Sequence, residues 1–366
     1  MRRVVVERQR APRPQGQHGE DGEDGEDGET HQHRVVEAPN HSRGRSTVAR
    51  SFGALSGTPL LDSARALRQR RAMLRPVTFF SEGHRIAAHL RLPDDLKPGE
   101  RRPAVICCQG FSLVKEVWLP KHAEAMNRAG YITLHLDYRY FGESEGQPRC
   151  RLVPRAQVED VRNALTFLET VPEVDASRLA LFGVSLGGSV AAGVAGLDDR
   201  VKALIAVACP SDLERVWSAF PDFAKFRAKV NAARQKYVAT GEATHVAVPR
   251  ILSSDPETCA LLVADQPHFP TWRLEITFES LFDLFDFKPD EVASTIRGAA
   301  MFVYPGDDAM IGRSEMMSLF SKAREPKKLV MLEGLKHHHV YKDPRGFEAV
   351  MTPTLAWLAQ WVPVER

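Results

Sequence analysis

The sequence lacks any apolar run close to the roughly 20 residues that a membrane-spanning helix needs. Its opening residues are not followed by the apolar core of a signal peptide, so we do not expect secretion. The five cysteines include no C-x-x-C pair, which argues against a zinc cluster and against a disulfide framework. These three absences together predict a protein without a membrane span in a reduced, cytoplasmic setting.

A strong charge of one sign is also lacking. The formal net charge is +2, too close to zero to predict a nucleic-acid partner. Hydrophobic residues make up 43% of the 366 residues, an ordinary share for a globular protein that buries a sizeable core. We therefore expect a globular protein.

Residues 1–75 have the composition of a disordered, low-complexity tail. A run of Gly, Glu and Asp fills residues 20–29, and residues 41–75 are rich in arginine with Asp62 as their single acid. Such a segment has too few apolar residues to offset the entropy of ordering it. We place the folded domain at residues 76–366. A start of the working protein at Met73 and a transit-peptide role for residues 41–75 stay open as alternatives.

Short apolar runs and helical patterns alternate after residue 76. Residues 77–80 and 85–92 predict an antiparallel hairpin, and the apolar run 104–108 is typical of a strand buried on both faces. Further strands are predicted at residues 131–136, 179–182, 201–208, 299–304 and 328–332. The alternation of strands and helices predicts an α/β fold, a mostly parallel sheet flanked by helices.

The alternation breaks between the strands at 201–208 and 299–304. Residues 211–298 carry helical stretches, several prolines and many aromatic residues, but no clear βα unit. Insertions at the carboxyl end of such a sheet often build binding sites, so we interpret this segment as a helical cap over a substrate pocket. The alternative is a helical excursion that buries only its own small core.

The strongest chemical signal is a G-x-S-x-G motif at residues 183–187. It lies between a predicted strand and a predicted small-residue helix, the context in which this motif presents a nucleophilic serine on a sharp turn. The turn would lift the hydroxyl of Ser185 above the sheet, beside a helix N-terminus that favours negative charge. A small-residue turn without chemistry is the alternative.

A serine nucleophile in this context needs an acid and a histidine, in that order along the chain. The strand at 299–304 leads into Asp307 and Asp308. Asp308 is preferred because a small residue and then two apolar residues follow it; Asp307 is the alternate. The acid that is not used would serve as a turn residue capping the next helix.

Three adjacent histidines follow the next predicted strand. His337 is preferred as the base because it lies three residues after Gly334, and His338 and His339 are alternates. Neighbouring side chains point in different directions, and no other ligand cluster is evident, so a metal site is not expected.

An oxyanion in this site needs backbone N–H donors. The N–H of Leu186, directly after the serine, is one candidate. The second is the N–H of Phe111, which follows the strand at 104–108 and the permissive Gly110.

Six segments together carry a resemblance to a known family, namely residues 110–112, 115–116, 137–146, 183–188, 325–327 and 334–337. From about Val77 to the C-terminus the sequence resembles the α/β-hydrolase superfamily. Within it the sequence is similar to dienelactone-hydrolase-like and S15-peptidase-like hydrolases and to thioesterases and acyltransferases of polyketide pathways. Most members carry histidine where Gln109 stands, and many carry glycine in place of Tyr140.

The predicted function is that of a serine esterase that cleaves carboxylic ester or thioester bonds through an acyl-enzyme, with Ser185, His337 and Asp308 as a triad. Its expected partner is a small-molecule ester or thioester, and no cofactor is expected. A homo-oligomer is compatible with the sequence, which does not set the oligomeric state. Two alternatives stay open: an acyltransferase or thioesterase of polyketide-type secondary metabolism, and a non-catalytic binding protein on the same fold.

Overall fold

The computed structural model describes residues 6–10 and 74–365 and builds them around one nine-stranded sheet. Along the sheet the strands follow the order β1-β11-β10-β7-β6-β4-β5-β3-β2, and only the pairs that involve β3 are antiparallel. Two further strands form a separate antiparallel ribbon. In chain order the strands are β1 (Val6–Arg10), β2 (Leu74–Ser81), β3 (His84–Arg91), β4 (Arg102–Cys108), β5 (Ile132–Leu136), β6 (Val174–Val184), β7 (Val201–Val207), the ribbon strands β8 (His245–Ala247) and β9 (Glu275–Thr277), β10 (Ala299–Pro305) and β11 (Lys327–Glu333).

The central strands are buried along their whole length, as the continuous apolar runs predict. Every residue of β4, β5 and β10 is buried, because helices cover a parallel sheet. The hairpin of β2 and β3 turns at Glu82 and Gly83, both with positive φ, at the predicted place. The mostly parallel sheet with flanking helices predicted from the sequence is therefore confirmed.

The helices connect the strands and pack on the sheet. In the second helix, Val158, Val161, Leu165 and Leu168 share the buried face, as their helical spacing predicts. The last helix continues through Pro353, although proline lacks the N–H that a helix interior uses. The helices of the described residues are α1 (Pro120–Arg128), α2 (Pro154–Glu169), α3 (Leu186–Leu197), α4 (Leu213–Ser218), α5 (Phe223–Thr240), α6 (Val248–Ile251), α7 (Pro256–Asp265), α8 (Leu281–Phe285), α9 (Arg313–Lys322), α10 (His339–Lys342) and α11 (Pro344–Trp361), with short 3₁₀ turns between some of them.

Part of the predicted tail belongs to the sheet. The segment Val6–Arg10, assigned to the disordered tail from composition, forms β1 and pairs in parallel with β11. Strand β2 begins at Leu74, two residues before the predicted domain boundary, because Leu74 and Arg75 pair with Arg91 and Leu90. Strand pairing with a distant segment supplies order that local composition does not show. Residues 1–5 and 11–73, with the question of a start at Met73, lie outside the described residues.

Residues 211–298, which we call the cap segment, lie between β7 and β10. They carry the helices α4 to α8 and also the ribbon of β8 and β9, which the sequence did not predict because three-residue strands show no periodicity. Both ends of the cap segment are held together, since the N–H of Asp290 donates to the carbonyl of Ser211 at 3.1 Å. Across the described part of the chain, no helix is long and apolar enough to cross a membrane.

Candidate active site

Ser185 occupies a strained turn between β6 and α3. Its φ of 58° and ψ of −130° are unusual for a residue with a side chain, and its N–H donates to the carbonyl of Val207 on the next strand. Gly187, two residues later, has no room for a side chain: a Cβ there would lie 2.1 Å from the carbonyl oxygen of Cys108. The glycine therefore lets the start of α3 press against the end of β4.

This close approach brings together the two predicted oxyanion donors. Phe111 follows β4, Leu186 begins α3, and both line one cavity with Ser185. Among the described residues, no acceptor is bonded to the N–H of Phe111 or of Leu186. A helix N-terminus carries partial positive charge, so the arrangement favours an anion beside the serine.

Asp308 and His337 are in direct contact. His337 Nδ1 lies 2.7 Å from Asp308 Oδ2, and both side chains are buried. The other carboxylate oxygen, Oδ1, accepts hydrogen bonds from the N–H groups of Met310 and Ile311, which fixes the orientation of the acid. Asp307 is exposed, and its one hydrogen bond to the described residues is donated by its backbone N–H to the carbonyl of Leu335. The structure thus brings Asp308, and not the alternate Asp307, to the histidine.

The other two histidines point away from this contact. His338 Nε2 lies 3.8 Å from a carboxylate oxygen of Glu257 in the cap segment, and His339 Nδ1 accepts from the N–H of Lys336. Among residues 6–10 and 74–365 no group of three or more His, Cys, Asp or Glu side chains is arranged to hold a metal ion.

The electrostatic surroundings of His337 favour its charged form. Burial by itself lowers the pKa of this histidine, but the charge and hydrogen bond of Asp308, helped by the charge of Asp255, raise it above the usual 6.5. A histidine with a raised pKa accepts a proton readily, so it can take a proton from a neighbouring hydroxyl and give it back.

The loop that carries Phe111 is clamped by a buried ion pair. The backbone N–H of Lys115 donates to Asp137 Oδ1 at 2.7 Å, and its Nζ lies 2.8 Å from Oδ2. Glu116 and Glu143 also contact the Lys115 ammonium. Both partners belong to segments that carry the family resemblance, and the structure shows that they hold the loop in place. The side chain of Gln109, which replaces the usual histidine, is buried with no partner among the described residues.

Sequence reasoning missed Tyr341. This buried residue lies four positions after His337, and their ring centroids are 6.3 Å apart. Burial and the charge of Asp308 raise the pKa of Tyr341, and a hydrogen bond with the Ser185 side chain lowers it by a smaller amount. The sequence offered one indication of this residue: a tyrosine stands four positions, about one helical turn, after the predicted base.

The cavity beside Ser185 is small and apolar. Its volume is about 30 Å³, room for one or two water molecules. The cap segment supplies seven of the lining residues, namely Leu213, Val216, Trp217, Phe220, Ile251, Leu252 and Ser254. The other lining residues are Phe111, Ser185, Leu186, Pro210, Met310 and Ile311.

Comparison with known proteins places the chain in a family. A family model described as serine aminopeptidase, S33, matches residues 99–344. The chain is 30% identical over 281 residues to the thiohydrolase aneE of Aspergillus aculeatus, covering 72% of this chain and 87% of that protein. It is 26% identical over 275 residues to the polyketide transferase claH of Penicillium crustosum, covering 72% and 89% of the two chains.

A solved structure gives the same result for the fold. The crystal structure of the α/β hydrolase GrgF from Penicillium sp. sh18 is similar with a TM-score of 0.67 and 25% identity, covering 79% of this chain and 99% of that one. The predicted superfamily and the similarity to the polyketide group are thus confirmed, although the matching model is named for S33 rather than S15 peptidases. The chain belongs to the S33 serine aminopeptidase family of α/β hydrolases.

Proposed function

We propose that this chain is a serine hydrolase that cleaves carboxylic ester or thioester bonds, with Ser185 as nucleophile, His337 as general base and Asp308 as the acid that orients the base. The observation that carries the proposal is the buried 2.7 Å contact between His337 Nδ1 and Asp308 Oδ2. This contact lies at the carboxyl ends of the parallel strands, where Ser185 also lies. A serine hydroxyl is a weak nucleophile until a positioned base takes its proton.

The hydrogen bond between Asp308 and His337 determines which histidine nitrogen can accept the serine proton. Asp308 holds Nδ1 of His337, so the proton of Ser185 goes to Nε2 as the serine Oγ bonds to the acyl carbon. The N–H groups of Phe111 and Leu186 stabilise the oxyanion, and the leaving alcohol or thiol takes the proton from His337. Water then attacks the acyl-enzyme by the reverse sequence, which releases the acid and restores Ser185.

The lining of the cavity favours an ester or thioester with an apolar acyl group over a peptide. An aminopeptidase needs a charged or polar partner for the free amine of its substrate. No carboxylate side chain of the described residues lines this cavity, and its polar side chains are those of Ser185 and Ser254. The similarity to a thiohydrolase supports a thioester among the substrates.

Transfer of the acyl group to an alcohol or amine is the second candidate. The cavity is lined mainly by apolar side chains, which would shelter the acyl-enzyme from bulk water until an acceptor enters. The similarity to a polyketide transferase points the same way. The triad would work unchanged, with the acceptor hydroxyl or amine in place of water.

The test compares the wild-type protein with Ser185→Ala on p-nitrophenyl esters from acetate to decanoate and on acyl thioesters. Ser254→Ala is the matched control, because it removes a second hydroxyl from the same cavity. We expect Ser185→Ala to lower kcat by roughly 10⁶-fold and Ser254→Ala to remain active. An inactive wild type whose Ser185 also resists a fluorophosphonate probe would overturn the proposal in favour of a binding protein.

Adding an alcohol acceptor separates the two candidates. With a hydrolase, the free acid remains a constant fraction of the product as the alcohol concentration rises. With a transferase, a growing fraction of the acyl group appears in the new ester.

We also propose a cytoplasmic location, since all five cysteines are buried and none forms a disulfide. Fluorescence imaging of the tagged full chain tests that location.

A further inference from the structure

Tyr341 is held rigidly beside the proposed triad. It lies on α10, is 4% exposed, and packs its ring against Trp118 with the centroids 4.9 Å apart. The centroid of the His337 ring lies 6.3 Å from that of Tyr341. Two aromatic contacts and burial fix where the hydroxyl of this tyrosine points.

The hydroxyl lies against the loop that leads to Phe111. A Cβ placed on Gly110 would be 2.8 Å from Tyr341 Oη, which is shorter than real contacts allow. Because Gly110 has no side chain, the hydroxyl of Tyr341 can occupy this space, next to the proposed oxyanion donor Phe111. The same Cβ position would be 3.5 Å from the carbonyl oxygen of Val184, the residue before Ser185, so the hydroxyl lies close to the nucleophile turn as well as to the loop. A hydrogen bond with the Ser185 side chain that lowers the pKa of Tyr341 agrees with this position.

The hydroxyl keeps its proton at neutral pH. Burial raises the pKa of Tyr341 well above its usual value, and the nearby charge of Asp308 raises it further. A protonated phenol beside a serine that donates its own proton to a base can act only as a donor to that serine.

We propose that Tyr341 is a further catalytic residue, whose hydroxyl donates a hydrogen bond to Ser185 Oγ and stabilises the negative charge that develops there. In acylation, the Ser185 proton passes to His337 as the Oγ–carbon bond forms, and the bond to the leaving alcohol or thiol breaks as that group takes the proton from His337. In deacylation, His337 takes a proton from water as the water oxygen bonds to the acyl carbon. The Oγ–carbon bond then breaks, its electron pair returns to Oγ, and His337 gives Oγ that proton. Tyr341 keeps its own proton in both steps. This inference rests on the proposed function of Ser185.

The test is Tyr341→Phe, which removes the hydroxyl and keeps the ring. Tyr131→Phe is the matched control, because Tyr131 is also buried but precedes β5 at the opposite end of the sheet. We expect the rate at which a fluorophosphonate labels Ser185, and kcat for esters, to fall about 10- to 100-fold in Tyr341→Phe with KM little changed. Tyr131→Phe should react as the wild type does.

A second variant guards against a folding defect. Full-length protein with 3-fluorotyrosine at position 341 keeps a hydroxyl donor, so it should react at the wild-type rate where phenylalanine does not. A purely structural role predicts equal labelling rates for Tyr341→Phe and the wild type, and that result would overturn the inference while the serine hydrolase proposal stands. A wild type that is not labelled at Ser185 would overturn both.

Discussion

The indole Nε1 of Trp272, a buried residue of the cap segment, donates a 3.0 Å hydrogen bond to the carbonyl oxygen of Ser112. Ser112 directly follows the proposed oxyanion donor Phe111 and itself has a positive φ of 59°. The cap segment and the loop that carries Phe111, which we call the oxyanion loop after its proposed role, are therefore joined by a hydrogen bond between residues 160 positions apart. A movement of the cap would change the geometry of the loop.

Trp272→Phe removes this bond while it keeps an aromatic ring in place. We expect stability to fall by about 1–3 kcal/mol, because the Ser112 carbonyl loses its buried partner, and kcat to fall as the oxyanion loop loosens. Denaturant unfolding and ester hydrolysis measure the two effects. Trp361→Phe is the matched control, since its indole N–H has no partner among the described residues. Equal effects of the two substitutions would contradict the coupling.

The adjacent carboxylates Asp307 and Asp308 allow a comparison at neighbouring positions. Asp308→Asn should lower kcat by about 10⁴-fold, because an amide opposite His337 Nδ1 favours the wrong tautomer. Asp307→Asn should leave ester hydrolysis near the wild-type rate, since that side chain is exposed. Steady-state kinetics of both variants decide between the two acids. A loss of activity confined to Asp307→Asn would assign the role to the other residue.

The raised pKa of His337 predicts the acid limb of the pH profile. The base works only when neutral, and a raised pKa keeps it protonated to higher pH. Activity should therefore be lost as pH falls through a midpoint above 6.5. The dependence of kcat/KM on pH reports this midpoint for the free enzyme. His338→Gln should leave it unmoved, and a midpoint below 6.5 would contradict the assignment.

Trp217 limits the size of the cavity. It lines the space beside Ser185, and its ring lies 6.4 Å from that of Phe111 and 6.0 Å from that of Phe285. Trp217→Ala should enlarge the cavity and shift the best p-nitrophenyl ester to a longer acyl chain, measured as kcat/KM across the series. Trp361→Ala, on the last helix, should keep the wild-type optimum. An unchanged optimum in Trp217→Ala would show that the acyl group binds elsewhere.

Local patterns in the sequence were enough for the sheet and for the positions of the candidate site. Apolar runs predicted β4 and β10, and the G-x-S-x-G motif placed Ser185 between a strand and a helix. The spacing after the next strands singled out Asp308 and His337, which the fold then brings to 2.7 Å. Each of these features can be recognised from a stretch of about ten residues.

Contacts between distant segments escaped prediction. The pairing of Val6–Arg10 with β11, the cap ribbon, and the approach of Tyr341 to Gly110 all join residues far apart in the chain. Short strands and single hydroxyls produce no periodic pattern in the sequence. Composition therefore assigned Val6–Arg10 to a tail, and no pattern indicated Tyr341.

The sequence alone determined the alternation of strands and helices, the serine turn and the order of serine, acid and histidine, because these depend on local backbone preferences and on nearby spacing. Tertiary structure decided which of two neighbouring aspartates meets the histidine, which residues close the cavity, and how the cap is bonded to the oxyanion loop. Those choices depend on the packing of side chains from separate elements, and only the folded chain brings those elements together.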